Sequence, residues 1–448
     1  MLLAVACVLV LLPLLTTLVI RMESEQPRIK LDLASMFIGL DKDLEIFLED
    51  HKSGLKRFWV AILQDGKETT LLEKHFPVTG ILKKGTVHSE SVRIKIEPKK
   101  IDLKDGQAML RLMAVDYSWK SWGKGNRVYS EKEIIIDTKA PIIRILTRSH
   151  NISPGGSNLV AYTLSEPCET SGVQIADTFY PGYSGLKGNH ETWAAFFALN
   201  NQQHSGTEIT LQATDRAGNQ TKTDFTHYIK TKRFKKDTIQ ISDNFILEKL
   251  PEFEKNLAGL NLESPVDKFL FINKELRAQN KAVLSKLMQQ SDADMYWEGT
   301  FLRLPRSATR SGFGDRRKYQ YKGKTIDRQT HLGIDLASLA MSPVPAANTG
   351  KVVYAETLGI YGRLVVIDHG YGLFSMYAHL SNFNVHVGQR VKKGDIIGNT
   401  GTSGLAGGDH LHYSILMSGT FVDPLEWWDA SWIRNNITNK FEQLGEGE

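Results

Sequence analysis

Four histidines and one carboxylate gather in the last third of this 448-residue chain: His331 with Asp335, His379 alone, and His410 with His412. Neutral imidazole nitrogens and carboxylate oxygens are ligands that zinc takes, and a catalytic zinc uses three protein ligands so that water holds the fourth position. The set supplies those three with two imidazoles to spare. Spacing adds to residue type. Side chains an even number of residues apart share one face of a strand, so His331 can point with Asp335 and His410 with His412. Two such strands side by side would build a metal site on a rigid sheet.

The local segments read His331-Leu332-Gly333-Ile334-Asp335, Tyr377-Ala378-His379-Leu380-Ser381 and His410-Leu411-His412, in that order. Glycine-bearing stretches accompany them: Gly350-Lys351-Val352-Val353, Asp368-His369-Gly370, Val391-Lys392-Lys393-Gly394 and Gly398-Asn399-Thr400-Gly401. Over roughly residues 310–430, about a quarter of the chain, this pattern resembles the lysostaphin/LytM-type zinc endopeptidases, which cut peptide cross-bridges in bacterial cell walls. The resemblance implies one Zn2+ per chain held by His331, Asp335 and His412, with His379 and His410 as catalytic histidines that are not ligands. Zinc lowers the pKa of bound water to about 7 and polarises the scissile carbonyl. One histidine would take the water proton and pass it to the leaving amine, and the other would hydrogen-bond the oxyanion. Which does which stays open at this level. Tyr319 or Tyr321 is a candidate oxyanion partner, as a tyrosine is in some relatives. Asn399, Thr402 and Ser403 are candidates for contact with the substrate backbone, with turn formation as the simpler role. His369 and His386 match no ligand position, and His369 is read as structural.

The remainder of the chain has to carry this site. Apolar residues make up 41% and charged residues 23%, an ordinary globular composition, and the length suggests about three domains. A net charge of +5 is small for this length and points to no nucleic-acid partner. Cys7 and Cys168 are too few for zinc–thiolate chemistry, and no internal disulfide is expected. Met1–Ile20 is an apolar run of about 30 Å as a helix, enough to span a bilayer. No small-residue cleavage site follows it, so residues 1–21 read as an uncleaved transmembrane signal anchor. The expected location is the cell inner membrane, single-pass, with the catalytic domain in the periplasm or outside the cell. Arg21, Arg28 and Lys30 after the run argue for the opposite orientation. Glu23, Glu25 and the large following domain, or a basic segment upstream, would offset them.

Between anchor and site lies a repeat. Ala114-Val115-Asp116 precedes Gly125-Asn126, and about one hundred residues later Ala213-Thr214-Asp215-Arg216-Ala217-Gly218-Asn219 precedes another strand pattern. Each reads as a terminal hairpin, and the segments resemble bacterial Ig-like extracellular modules at 26–138 and 139–230. Such modules would act as spacers or bind glycan, cell-division or envelope proteins; calcium at Asp116 or Asp215 is a weaker expectation. Ser264-Pro265-Val266-Asp267 then starts a helix, predicted to run about 25 residues to near Gln290 within a connector at 231–300. That helix is either a packed link or a cover for the catalytic groove. The basic stretch from Arg303 to Arg328 is expected to be a solvated hairpin.

The expected fold is therefore mainly β: two Ig-like sandwiches, a helical connector and a mostly antiparallel β-sheet peptidase domain at 301–433, after a membrane-spanning helix and before a polar tail at 434–448. The expected function is that of a membrane-anchored zinc metalloendopeptidase acting on peptidoglycan stems or cross-bridges. The alternative is a non-catalytic activator or scaffold for other cell-wall hydrolases, a role whose carriers typically lose metal ligands that this chain keeps.

Overall fold

The computed structural model describes residues 11–445 apart from 13–14, 34, 81–83 and 187–188. It is mainly β, 45% strand against 18% helix. The expected membrane span at 1–21 falls largely outside the described residues; among those described, no helix is long and apolar enough to cross a membrane. The chain divides into two compact units, one of residues 1–141, 166–169 and 214–221, the other of residues 142–165, 170–213 and 222–448.

In the first unit, strands Arg28–Asp32, Lys42–Glu49 and Ser89–Ile96 form one sheet. Phe37–Ile38, Arg127–Ile136, Gly106–Asp116, Leu55–Gln64 and Lys67–His75 form a second. Alternation dictates the packing. Leu44, Ile46 and Leu48 point inward beside Val92, Ile94 and Ile96 of the antiparallel partner. Phe58, Val60 and Ile62 lie opposite Ala114, Leu112 and Leu110 in the other sheet. Both faces enter one core, the two-sheet packing expected of a sandwich. The repeated Asp…Asn pair is a turn lock. Asp116 Oδ1 accepts from the N–H groups of Ser118 and Asn126, and Oδ2 from the Asn126 side chain at 2.8 Å. Asp215 holds Ala217 and Asn219 in the same way.

The second unit carries the strands Ile143–Ile145, Ser157–Leu164, Asn189–Ala198 and Tyr183–Leu186 as one sheet. The connector opens with a strand, Lys236–Ile241, which pairs parallel with Arg316–Tyr321. Its long helix starts at Pro265 under a capping box of Ser264 and Asp267, passes a π-turn at Ile272–Leu276 and ends at Leu287. Buried Asn273 donates to Asp327 Oδ2 at 2.7 Å, and Asn280 Oδ1 accepts from the Ile360 N–H at 2.9 Å. Seven residues apart, these two amides lie on one face of the helix and pin it to the segments that carry the site.

The sheet that carries Asp335 and His412 runs Ala308–Ser311, Ile334–Ala337, Leu411–Met417, Leu373–Leu380, Arg363–Asp368, Gly350–Thr357, Arg390–Val391. Its central strands, Leu373–Leu380 and Leu411–Met417, are buried along their whole length. One apolar core joins this sheet to the connector and to the sandwich strands. Phe196, Trp297 and Trp427 meet there, with ring centroids 5.3 to 6.2 Å apart. The expected borders at 230 and 300 therefore lie inside continuous packing. The polar tail needs correction: Arg434–Thr438 and Asn439–Gly445 are helical. Ile433, Ile437 and Phe441 recur every four residues, an apolar stripe that docks on the core.

Buried Glu426 caps the neighbouring backbone by accepting from Ser157 N–H at 2.8 Å and Ser157 Oγ at 3.1 Å. Burial pushes its carboxyl from 4.5 up to about 8. A folded-state pKa above the unfolded one gives stability that is full below pH 4.5 and is lost as pH rises through 8. Glu426→Gln should abolish that decline and be the more stable protein at pH 8–9, by an amount on the order of a few kcal/mol. Denaturant midpoints of both proteins from pH 5 to 9 check this; parallel curves would count against it.

Candidate active site

Strand pairing assembles the site. Asp335 lies directly opposite His412 in register, and His412 lies opposite Ala378, the residue before His379. His331 stands at the entry to the Asp335 strand, and its Nε2 is 2.9 Å from Asp335 Oδ1 and 3.0 Å from His412 Nδ1. His412 Nδ1 is 2.9 Å from the same Oδ1.

The partners behind each ring settle which nitrogen faces inward. His331 Nδ1 sits 2.8 Å from the Gly312 carbonyl, which only accepts, so Nδ1 carries the proton and Nε2 presents a lone pair. Ser414 Oγ donates to the Leu332 carbonyl at 2.9 Å. Its oxygen therefore accepts from His412 Nε2–H, 3.1 Å away, and His412 Nδ1 is left with a lone pair. Two imidazole lone pairs and one carboxylate oxygen thus converge within 3.0 Å. Such a set repels itself unless a cation joins it, and two neutral imidazoles with one carboxylate suit zinc.

Arg317 orients the carboxylate. Its Nη2 donates to Asp335 Oδ2 at 2.8 Å and to Ser311 Oγ at 2.7 Å, leaving Oδ1 to face the histidines. Burial alone would raise the Asp335 carboxyl; the imidazoles packed around it, His331 first, hold it well below the usual range. The expectation of a solvated basic hairpin holds for Arg316 and Lys318 but not for Arg317. Period two along Arg316–Tyr321 turns Arg317 and Tyr319 inward, a signal legible in the sequence once the strand is recognised. Arg317→Gln is expected to lower zinc affinity 10- to 100-fold, the usual effect of losing a partner of a metal ligand. Competition with a chelating dye measures it, and wild-type affinity would deny Arg317 an orienting role.

His379 reaches the site through a bulge. Arg363 pairs with Leu380 but Val365 with Tyr377, so Ala378 and His379 together face the single residue Leu364. His379 adopts φ 63°, a left-handed conformation uncommon for a non-glycine residue. Its Nδ1 donates to the Ser403 carbonyl at 2.8 Å, and His410 Nδ1 donates to Gly408 at 2.7 Å. The His379 and His410 rings are 4.9 Å apart, and His410 Nε2 is 3.5 Å from Asp335 Oδ1. Burial and neighbouring imidazoles push His379 far down; in His410 the hydrogen bond and charge of Asp335 outweigh burial and raise it.

The other candidates separate cleanly. Tyr319 is buried against Phe269, ring centroids 6.1 Å apart, and lines the groove, whereas Tyr321 turns away to donate to Asp243. Ser403 positions His379 through its carbonyl and bonds Arg363 and Leu380 through its hydroxyl. The Thr402 carbonyl accepts from Lys249, and the Asn399 amide donates to Met341. These three residues hold loops in place. His369 is fully enclosed, bonded to the Thr349 carbonyl and Ser375 Oγ at 2.7 Å each.

The groove above the histidines is about 390 Å³, and one wall comes from the connector through Ile239, Ile241, Phe245 and Phe269. Lys249 and Glu252 tie that wall to the loop at 402–404. The sequence favoured a packed link over a cover; this geometry makes the connector part of the groove itself.

A family model, Peptidase family M23, matches residues 329–424, the segment that holds all five site residues. Residues 329–424 are an M23 peptidase domain of the lysostaphin/LytM type. The M23 domain is similar to the DD-carboxypeptidase/endopeptidase Mpg of Neisseria meningitidis serogroup B, 39% identical over 95 residues, 21% of this chain and 22% of that protein. It is also similar to the peptidoglycan DD-endopeptidase ShyB of Vibrio cholerae serotype O1, 33% identical over 116 residues, 26% of each chain. Among solved structures, the catalytic domain of the antimicrobial peptidase lysostaphin from Staphylococcus simulans matches at 30% identity and a TM-score of 0.24, covering 29% of this chain and 96% of that one. The matched region of the two curated relatives is 22% and 26% of their length.

Proposed function

We propose that this protein is a zinc metalloendopeptidase that hydrolyses peptide bonds in the stems or cross-bridges of peptidoglycan. The observation that carries the reading is the convergence of His331 Nε2, Asp335 Oδ1 and His412 Nδ1 within 3.0 Å, beside two imidazoles bonded elsewhere. The similarity to a protein named as a peptidoglycan DD-endopeptidase supports the substrate class.

On this reading His331, Asp335 and His412 hold the metal, and Arg317 keeps Asp335 turned toward it. When bound, zinc supplies Lewis-acid polarisation of the scissile carbonyl and a water of lowered pKa. His379 and His410 handle protons at their Nε2 atoms: one removes a proton from the attacking water and delivers it to the leaving amine nitrogen, and the other hydrogen-bonds the oxyanion. Tyr319, which lines the same groove, is the candidate to add a hydrogen bond there. Peptidoglycan lies outside the cytoplasmic membrane, so the reading goes with export and with residues 1–21 as the anchor.

The test uses the full chain, because a fragment from residue 231 would strip the sandwich strands from the shared core. Zinc content and digestion of purified peptidoglycan are measured beside His331→Ala and His410→Ala. New peptide ends from the wild type, absent in both variants, are expected, and mass analysis of the ends identifies the bond. Stoichiometric zinc with no cleavage, but faster digestion by a second added wall hydrolase, would replace the reading with the activator role. Absence of zinc would sink it.

A further inference from the structure

The first unit contains a second group of converging acids. Glu23, Asp50 and Asp116 each place a carboxylate oxygen within 4.8 Å of the other two. They come from three separate segments: Glu23 from the approach to the first strand, Asp50 from just beyond Lys42–Glu49, and Asp116 from the end of Gly106–Asp116. Asp50 and Asp116 are 2% and 0% exposed.

Most of their hydrogen-bonding capacity is spoken for. Asp116 locks its turn as described above. Asp50 Oδ1 accepts from the N–H groups of Gly54 and, at 3.2 Å, Lys52. Glu23 Oε1 accepts from Ser53 Oγ at 3.1 Å and from the Asn126 amide at 3.0 Å. Asp50 Oδ2 is different: it is buried and has no hydrogen-bond partner. An enclosed carboxylate oxygen without a donor is strongly disfavoured, and here it belongs to a cluster whose other members are also acids. The repeat offers an internal comparison. Asp137, Glu166 and Asp215 gather in the same way, but none of them has an orphaned oxygen. Glu166 there is raised by burial, by Asp137 and Asp215, and by a hydrogen bond shared with Asp137. Asp50 Oδ2 has no such hydrogen bond.

We propose that Glu23, Asp50 and Asp116 form a calcium site that ties the segment before the first strand to the Asp116–Asn126 turn. Three carboxylates with no imidazole or thiolate select a hard cation. Calcium tolerates the irregular geometry of ligands drawn from three loops and completes its six to eight oxygens with water and carbonyls, whereas magnesium demands a near-ideal octahedron. The site differs in chemistry from the histidine-rich peptidase site, so the two metals sort themselves by ligand type.

The full chain, stripped with a chelator and reloaded with zinc, is titrated calorimetrically with calcium chloride and separately with magnesium chloride. Binding with Kd on the order of 10⁻⁴–10⁻³ M is expected for calcium, the range of extracellular modules, together with a calcium-dependent rise in the thermal midpoint. Asp50→Asn keeps the Oδ1 that Gly54 and Lys52 use, and Glu23→Gln keeps Oε1; each should weaken calcium at least tenfold with zinc content and circular dichroism unchanged. If Asp50→Asn does not fold, Glu23→Gln decides alone. A folded wild type with neither heat nor midpoint shift at roughly 10 mM calcium, ten times the weak end of that range, would overturn the site. Equal binding by wild type and the folded variants would do the same.

Discussion

Alanine at His379 or at His410 is expected to leave one zinc per chain bound while lowering peptide hydrolysis about 10²–10⁴-fold, the contribution of a positioned acid–base group. Neither ring belongs to the trio that converges within 3.0 Å. Each is held from behind through Nδ1 by a backbone carbonyl, Ser403 for His379 and Gly408 for His410. Removing either imidazole takes away the proton carrier or the oxyanion's hydrogen-bond partner without opening the trio. His331→Ala and Asp335→Ala should behave differently and lose metal and activity together. Zinc content by atomic emission, measured beside digestion rate, separates the two classes. Loss of zinc from His410→Ala would move His410 into the ligand set, a result its 3.5 Å approach to Asp335 makes worth checking. The double variant should be little worse than the more damaged single one, because groups that act together in one transition state do not contribute additively.

Gly333→Ala is expected to cost nearly as much, through sterics alone. A Cβ at this position would stand 2.5 Å from Ser414 Oγ and 2.6 Å from His412 Nε2. Both atoms are fixed, since Ser414 bonds Leu332 and His412 in one chain of hydrogen bonds. The added methyl must push the His412 ring away from Asp335 or break that chain, and either displaces a member of the converging trio. Zinc affinity should fall by at least tenfold, in line with losses seen when the partners of metal ligands are disturbed, in a protein whose circular dichroism and denaturant midpoint stay close to wild type. An alanine variant with unchanged affinity would show that the ring has room to yield. Gly333 thus separates His331 from Asp335 for a spatial reason, with no demand on unusual backbone angles.

Much of this site is legible from local pattern. Even spacing was expected to turn His331 with Asp335 and His410 with His412, but the strands begin at Ile334 and Leu411, so only Asp335 and His412 stand on them and His331 and His410 reach the site from the strand entries. The helix start at Ser264 is local, because cap and first-turn residues satisfy N–H groups only three positions away. Arg317 lay within reach of the same reasoning, but its strand was read as a solvated charge run. The helix at 434–445 was hidden by its polar residues although Ile433, Ile437 and Phe441 carry the stripe.

Residue type and local pattern account for the donor set, its order and the helix start, since these depend on neighbours a few positions away. Only the tertiary structure decided that His331 and His412, 81 residues apart, share a carboxylate. It alone decided that a bulge swings His379 inward and that Ser414 and Gly312 choose the tautomers. It also made the connector a wall of the groove and one core of three expected domains. These outcomes depend on which strand pairs with which and in what register. That choice is made by the packing of the whole unit, and no local stretch of residues contains it.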